Sequence, residues 1–277
     1  MFSGDKSARF LYPLGMPLRS AILNVMTAAA LKAGKAIVRD FGELGKLQVS
    51  RKGVSDFATN ADHRSEKILH QELSKARPTF GFLMEESGEI AGSDPTQRFI
   101  IDPIDGTNNF IHAVPYFCIS VALEKRLNDG SWQTQAGVIY DPIANELFCA
   151  ELYQGATVND QRLMVSGRNE LDACMIAAFM PMQAPTAHVV HVQKTLTSQP
   201  FLLRATGSTA LDLAYVAAGR YDGACFISYK PWDVSAGKLL VREAGGLITE
   251  SAGEDKKLLF VSNPHIHGKL APLLSAA

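Results

Sequence analysis

Apolar residues recur at helical spacing near the start of the chain. Leu18, Ile22, Val25, Met26, Ala29, Ala33, Ile37 and Phe41 fall on one face at a period of about 3.6 residues, and Gly42 and Gly45 close the segment. Asn24 and Thr27 interrupt the apolar block, so the run reads as an amphipathic helix of the mature fold rather than a signal peptide. Residues before Pro17 read as a loose extension. A second helix is expected from about Asn60 to Arg77, where Pro78 stops it.

The period then shortens. RFIID at 98–102 predicts a buried strand, and FCISVALEK, QTQAGVIYD and NELFCAEL predict three more. Turn signals at Asn128-Asp129-Gly130 and Asp141-Pro142 separate them, which predicts an antiparallel meander. From about Ser166 short apolar strands alternate with helical segments such as TALDLAYVAAGR and DVSAGKLLVREAGG, an α/β rhythm. The expected organisation is an N-terminal α+β domain over 1–165 and a C-terminal α/β domain over 166–277.

Composition narrows the classes of function. With 277 residues and 47% hydrophobic content the chain can fill sizeable cores. Its 27 basic and 28 acidic residues nearly cancel, so no global field draws it to nucleic acid or anionic lipid, and any anion must be attracted locally. Cys118, Cys149, Cys174 and Cys225 lie far apart without a C-x-x-C pair, which argues against a zinc site or a disulfide framework and fits a reducing cytoplasm. No run reaches the roughly 18 consecutive apolar residues of a bilayer span. His265 and His267, after Pro264, read as a solvated turn rather than a metal pair.

The chemistry concentrates in Asp102-Pro103-Ile104-Asp105-Gly106-Thr107, where the strand RFII runs out. Pro103 fixes its own φ and holds Asp102 extended, while Gly106 permits a tight turn. Two carboxylates and the Ile104 carbonyl are hard oxygen donors of the kind Mg²⁺ prefers. A helix starting near Thr107 would turn the amides of Gly106 and Thr107 outward as an anion site. Taken alone, Asp105 and Thr107 would pass as helix caps, but five fixed residues at this spacing argue against caps alone.

Further polar elements accompany this one along the chain. Glu85-Glu86-Ser87 closes the apolar segment FGFLM, and Trp232-Asp233 opens the helix that Gly245-Gly246 terminates, where Asp233 is also a plausible N-cap. Lys52-Gly53-Val54-Ser55-Asp56 and Thr59-Asn60-Ala61-Asp62 are polar clusters that would also serve as caps and turns. Arg204-Ala205-Thr206-Gly207-Ser208-Thr209 is a donor-rich strand-to-helix turn suited to a phosphate or sugar hydroxyl, without P-loop spacing. His112 is a possible pocket residue, and the aromatics Phe110, Tyr116 and Phe117 read as core.

Taken in this order, the chain resembles the inositol monophosphatase family, within the superfamily of lithium-sensitive, magnesium-dependent sugar phosphatases. The likeness covers roughly Pro17 to Ser262 and rests on FIIDPIDGTNNFIH at 99–112 and PWDVSAGKLLVREAGG at 231–246. It implies a layered αβαβα sandwich of the inositol monophosphatase and fructose-1,6-bisphosphatase type, with the active site between the two domains and, in many members, a homodimer. It also implies two or three Mg²⁺ ions and inhibition by Li⁺. By the same likeness Glu85, Asp102 and the Ile104 carbonyl hold one metal, and Asp102, Asp105 and Asp233 a second, with Asp102 bridging. Glu85 also reaches a looser third ion, and Thr107 with Asp62 as its partner orients the attacking water. Gly106, Thr107, Gly207, Ser208 and Thr209 are the expected phosphate and substrate contacts. The implied reaction is hydrolysis of a small phosphate monoester by a metal-activated water, without a covalent enzyme intermediate.

One position departs from the family pattern. Inositol-preferring members carry an acid seven residues before the aspartate of the Trp-Asp pair, whereas this chain has Phe226, which accepts no hydrogen bond from a ring hydroxyl. The substrate therefore stays open among inositol phosphates, histidinol phosphate, fructose 1,6-bisphosphate and 3′-phosphoadenosine nucleotides. A different class is a regulatory protein that uses this fold to contact RNA or protein, and the balanced charge speaks against the RNA version.

Overall fold

The apolar stripe at the start of the chain is buried as its spacing requires. The computed structural model describes residues 19–47, 51–179, 186–251 and 257–275, the side chains of 45–47 and 51–59 excepted. Helix α1 (Ala21–Leu47) turns Met26, Ala29, Ala33 and Ile37 inward beside α2 (Arg51–Ala76). By length and composition Ala21–Leu44 would also pass as a membrane span, yet this stripe packs into a protein core. Helix α2 begins well before the expected Asn60. Ser, Asp, Thr and Asn favour caps but cost less than about 0.7 kcal/mol each inside a helix, so they did not stop it. The expected cluster Lys52–Asp56, Thr59 and the extension before Pro17 lie outside the described side chains.

The chain then builds a first sheet from β1 (Phe80–Met84), β2 (Gly88–Ile90), β3 (Asp94–Asp105), β4 (Cys118–Arg126), β5 (Trp132–Asp141), β6 (Glu146–Glu151), β7 (Gly155–Val158) and β8 (Gln161–Arg162), with α3 (Thr107–Ile111) between β3 and β4. The order is β2-β1-β3-β4-β5-β6-β7-β8. Strands β3 to β6 form the antiparallel meander expected from the sequence, while β1 runs parallel to β3.

A second sheet holds β9 (Met175–Phe179), β10 (Leu202–Arg204), β11 (Gly223–Ile227), β12 (Leu247–Ser251) and β13 (Leu258–Ser262), in the order β10-β9-β11-β13-β12. Its helices are α4 (Ala187–Thr197), α5 (Thr209–Ala217), α6 (Pro231–Glu243) and α7 (Pro264–Ser275).

Side-chain alternation along the strands sorts the interior into three cores. Phe99 and Ile101 of β3 face α1 and α2, while Ile100 between them faces α5 and α6. On β11, Ala224 and Phe226 face α5 and α6, and Cys225 and Ile227 face α4 and α7. The result is five layers, αβαβα. Helix α6 rides directly on the first sheet, because a Cβ at Gly137 of β5 would come within 3.0 Å of the Ala236 Cα. Truncating a fully buried ring such as Phe99 to Ala would cost about 3–5 kcal/mol.

The C-terminal histidines are not a solvated turn. Pro264 starts α7, and His267 is buried against Phe260, with Ser262 Oγ 2.8 Å from its Nδ1 and Thr249 Oγ1 2.9 Å from its Nε2. Pro at the first helical turn favours a helix start, which the expectation of a turn overlooked.

Candidate active site

The end of β3 is held by its own sequence. Asp102 pairs with Ser120 and Asp105 with Cys118 on β4, so β3 carries one residue more than its partner and bulges there. Asp102 Oδ1 accepts the Ile104 N–H at 3.0 Å, and the Pro103 carbonyl accepts the Ser65 hydroxyl of α2 at 3.0 Å. Gly106, with φ 98°, then turns the chain into α3. A Cβ there would lie 3.1 Å from the Tyr116 carbonyl oxygen. Helix α3 is only five residues long, so its dipole is small, and attraction of an anion would rest on the Gly106 and Thr107 amides themselves.

Three further acids stand with Asp102, Asp105 from the same strand and Glu85 and Asp233 from other parts of the chain. Glu85 follows β1, which runs parallel to β3, and its N–H reaches the Ile101 carbonyl at 3.2 Å. Although Glu85 is exposed as a residue, its carboxyl lies close enough to that of Asp102 for each to perturb the other. Asp105 Oδ2 accepts the Ser208 hydroxyl and the Ala210 N–H, each at 2.6 Å. Asp233 sits in the first turn of α6, where its Oδ2 accepts the Lys230 N–H at 2.8 Å. It is thus inside the helix, not the cap residue itself.

Burial and mutual repulsion push these carboxyls upward. Burial raises Asp102 well above the usual carboxylate range, followed by the charges of Asp105, Glu85 and Asp233. Burial raises Asp105 to about 7, opposed by the Ser208 hydroxyl. Burial likewise raises Glu85 and Asp233, the latter opposed by the Lys230 amide and by Lys257. A cluster of desolvated like charges is stabilised by a counter-cation.

Among the described residues no three acidic, histidine or cysteine side chains form a ready-made cage. Asp105 and Asp233 each commit one oxygen to protein donors and leave the other for further ligands. That suits Mg²⁺, which keeps several waters and takes few carboxylates. A buried orphan supports the fit: Asp62 Oδ1 on α2 has no hydrogen-bond partner, and burial followed by Glu86, Glu85 and Glu66 raises Asp62 to about 8.

Three sequence expectations change. The Thr107 hydroxyl donates to the Ile104 carbonyl at 3.0 Å and not to Asp62, because that carbonyl lies within reach across one tight turn. Ser208 is not open to substrate, being 1% exposed with its hydroxyl given to Asp105, whereas Gly207 is exposed and Thr209 half-buried beside it. Phe226 lies 1% exposed in the core between the sheets, so it lines no open pocket. His112 turns its Nδ1 to the Asn108 carbonyl at 2.9 Å.

Two contributors were not singled out in the sequence. Glu66 Oε2 accepts the Glu86 N–H at 2.9 Å, and Glu66 Oε1 accepts the Ser87 hydroxyl, which fixes the turn after Glu85. Its signal was the spacing Asp62-x-x-x-Glu66 on one face of α2. The Ala210 amide carries no side-chain signal at all.

Known proteins resemble this chain over most of its length. The model of the inositol monophosphatase family matches residues 18–277. An inositol-1-monophosphatase of Mesorhizobium japonicum is 48% identical over 238 residues, which cover 85% of this chain and 87% of that protein. The Nus factor SuhB of Escherichia coli strain K12 is 40% identical over 86% of this chain and 88% of its own. Among solved structures, the extragenic suppressor protein suhB of Bartonella henselae superposes with a TM-score of 0.81 at 46% identity, covering 92% of this chain and 99% of that one. The layered fold, the matched family model and these relatives together show that the chain belongs to the inositol monophosphatase family and is a phosphoric monoester hydrolase.

Proposed function

We propose that this protein is a Mg²⁺-dependent phosphomonoesterase acting on a small polyol, sugar or amino-alcohol phosphate. The observation that carries the reading is the convergence of Glu85, Asp102, Asp105 and Asp233 from three chain segments, against their own repulsion. Glu85, Asp102 and the Ile104 carbonyl would hold one ion, and Asp102, Asp105 and Asp233 another, with Glu85 the nearest acid for a looser third. When bound, the ions would neutralise phosphate charge and lower the pKa of a water.

The protein's own groups do the rest. The Gly106 and Thr107 amides would receive the phosphate, and Gly207, which is exposed, with half-buried Thr209 would meet the alcohol. Asp62 Oδ1, buried and unpartnered, would take the proton of the attacking water once bound cations had driven Asp62 to its carboxylate form. Buried Phe226 adds no hydrogen-bond acceptor for ring hydroxyls, which favours a substrate other than inositol 1-phosphate. Li⁺ inhibition, a homodimer and a reducing cytoplasm complete the reading; the last is supported by four cysteines that are free and buried.

The test is phosphate release from inositol 1-phosphate, histidinol phosphate, fructose 1,6-bisphosphate and 3′-phosphoadenosine 5′-phosphate, with Mg²⁺ and with EDTA. Mg²⁺-dependent release that does not favour inositol 1-phosphate is expected. Selectivity for inositol 1-phosphate would overturn the substrate class, and release that persists in EDTA would overturn the metal assignment. A second reading draws on the relative named Nus factor SuhB: the chain would be a regulatory binding protein on the same fold. The charge balance favours a protein partner over nucleic acid, and a defined protein complex recovered with the purified chain would support it.

A further inference from the structure

We propose that Asp212, Thr206 and Asn109 form a latch that positions Asp105 for its cation, and that this latch sets how tightly the site takes the metal. The inference rests on the metal-dependent reading above.

Asp212 lies on α5 and is 2% exposed. Its Oδ1 accepts the Tyr116 hydroxyl at 2.7 Å and the Thr206 hydroxyl at 2.7 Å, and its Oδ2 lies 2.7 Å from the same Thr206 oxygen. Tyr116 belongs to the segment between α3 and β4, and Thr206 to the turn between β10 and α5. From the opposite side Asn109 of α3 donates through Nδ2 to the carbonyls of the same two residues, Tyr116 at 2.7 Å and Thr206 at 2.8 Å. One carboxylate therefore joins the two segments through their side chains, and one amide joins them through their backbones.

What these segments carry explains the arrangement. Two residues beyond Thr206 is Ser208, which with Ala210 occupies Asp105 Oδ2. Two residues beyond Tyr116 is Cys118, the strand partner of Asp105. Both supports of Asp105 are thus tied at the same ring of four residues. With Oδ2 committed, Oδ1 is the oxygen left for a cation. Asp212, Thr206 and Asn109 make no hydrogen bond to Asp105 and act through Ser208 and Ala210, so they are positioning residues. Burial raises the Asp212 carboxyl to about 7 against the opposing Thr206 and Tyr116 hydrogen bonds, a cost that simple space-filling would avoid.

The test compares the full-length wild type with Thr206→Val, which keeps the shape and removes the hydroxyl, and with Thr206→Ser, which restores it. Mn²⁺ binding is followed by electron paramagnetic resonance, Mg²⁺ activation by phosphate release, and amide exchange of Ala210 in EDTA by NMR. Thr206→Val is expected to bind Mn²⁺ about tenfold more weakly and to need about tenfold more Mg²⁺ for half-maximal activity. Its KM at saturating Mg²⁺ should stay unchanged, and its Ala210 amide should exchange faster. Thr206→Ser should return all of these readouts toward wild type. Wild-type Mn²⁺ affinity in Thr206→Val, or no rescue by Thr206→Ser, would overturn the latch. If Thr206→Val fails to fold, Tyr116→Phe, which removes one donor from Asp212, decides the question by the same readouts. A wild type that binds no Mn²⁺ and shows no Mg²⁺-dependent release would overturn the metal reading and the latch together, a result distinct from unchanged variants of a metal-binding protein.

Discussion

Ser208 Oγ lies 2.6 Å from Asp105 Oδ2, although 103 residues separate them along the chain. The bond joins the end of β3 in the first sheet to the start of α5 beneath the second. A short hydroxyl-to-carboxylate bond of this kind is charge-assisted, and it fixes which carboxylate oxygen is free. The geometry of the site therefore depends on how the two sheets are docked.

Replacing Asp105 by Asn should leave the protein folded, since the amide oxygen can still accept from Ser208 and Ala210. The anionic oxygen is lost. Mg²⁺-dependent phosphate release should fall about a thousandfold or more, equivalent to several kcal/mol of transition-state stabilisation. Steady-state kinetics alongside circular dichroism check this. Retained activity would remove Asp105 from the metal set.

The metal-free protein should become less stable as the pH rises from about 5 to about 8. Asp62 and Asp212 are raised in the fold to about 8 and about 7, each chiefly by burial. In the unfolded chain such groups titrate near 4, so between these values the folded state holds protons that the unfolded state has lost. Stability is then highest at the acid side of this window and declines toward the folded pKa values. Melting temperatures in EDTA across the range test the sign, and a level profile would mean that these acids are ionised when folded. Added Mg²⁺ should restore stability most at the alkaline end.

Gly106→Ala should cost about 1–2 kcal/mol from the left-handed backbone alone, with more from crowding against the Tyr116 carbonyl and Phe117. Because Gly106 links Asp105 to Thr107, activity should fall further than stability predicts. Urea midpoints and kcat/KM measured on the same preparation separate the two losses.

Phe226→Glu, which restores an acid at that position, should not create an inositol phosphatase. The ring lies in the core between the sheets, where a lone carboxylate has no partner, so a loss of about 3–5 kcal/mol is expected. Denaturant unfolding checks the cost. A stable variant with new activity on inositol 1-phosphate would show that the position reaches substrate.

Much of the fold was legible in local patterns. The stripe Met26, Ala29, Ala33 and Ile37 marked α1, and the turns at Asn128-Asp129-Gly130 and Asp141-Pro142 marked the meander, because periodicity and turn chemistry act over a few residues. Helix α2 extends further toward the N-terminus than the polar residues before Asn60 suggest, because each is only weakly unfavourable inside a helix. The local sequence around His267 suggests solvent, and only the packing of α7 encloses it with Phe260, Ser262 and Thr249.

The sequence by itself determined the rigid end of β3. Pro103 and Gly106 restrict the backbone around Asp102 and Asp105 whatever surrounds them. Only the tertiary structure decided that Glu85 and Asp233 face them, that Ser208 supports Asp105 instead of touching substrate, and that Phe226 is core. Those outcomes depend on strand register and on α5 and α6 packing between two sheets. Long-range docking of that kind leaves no periodic trace in the chain.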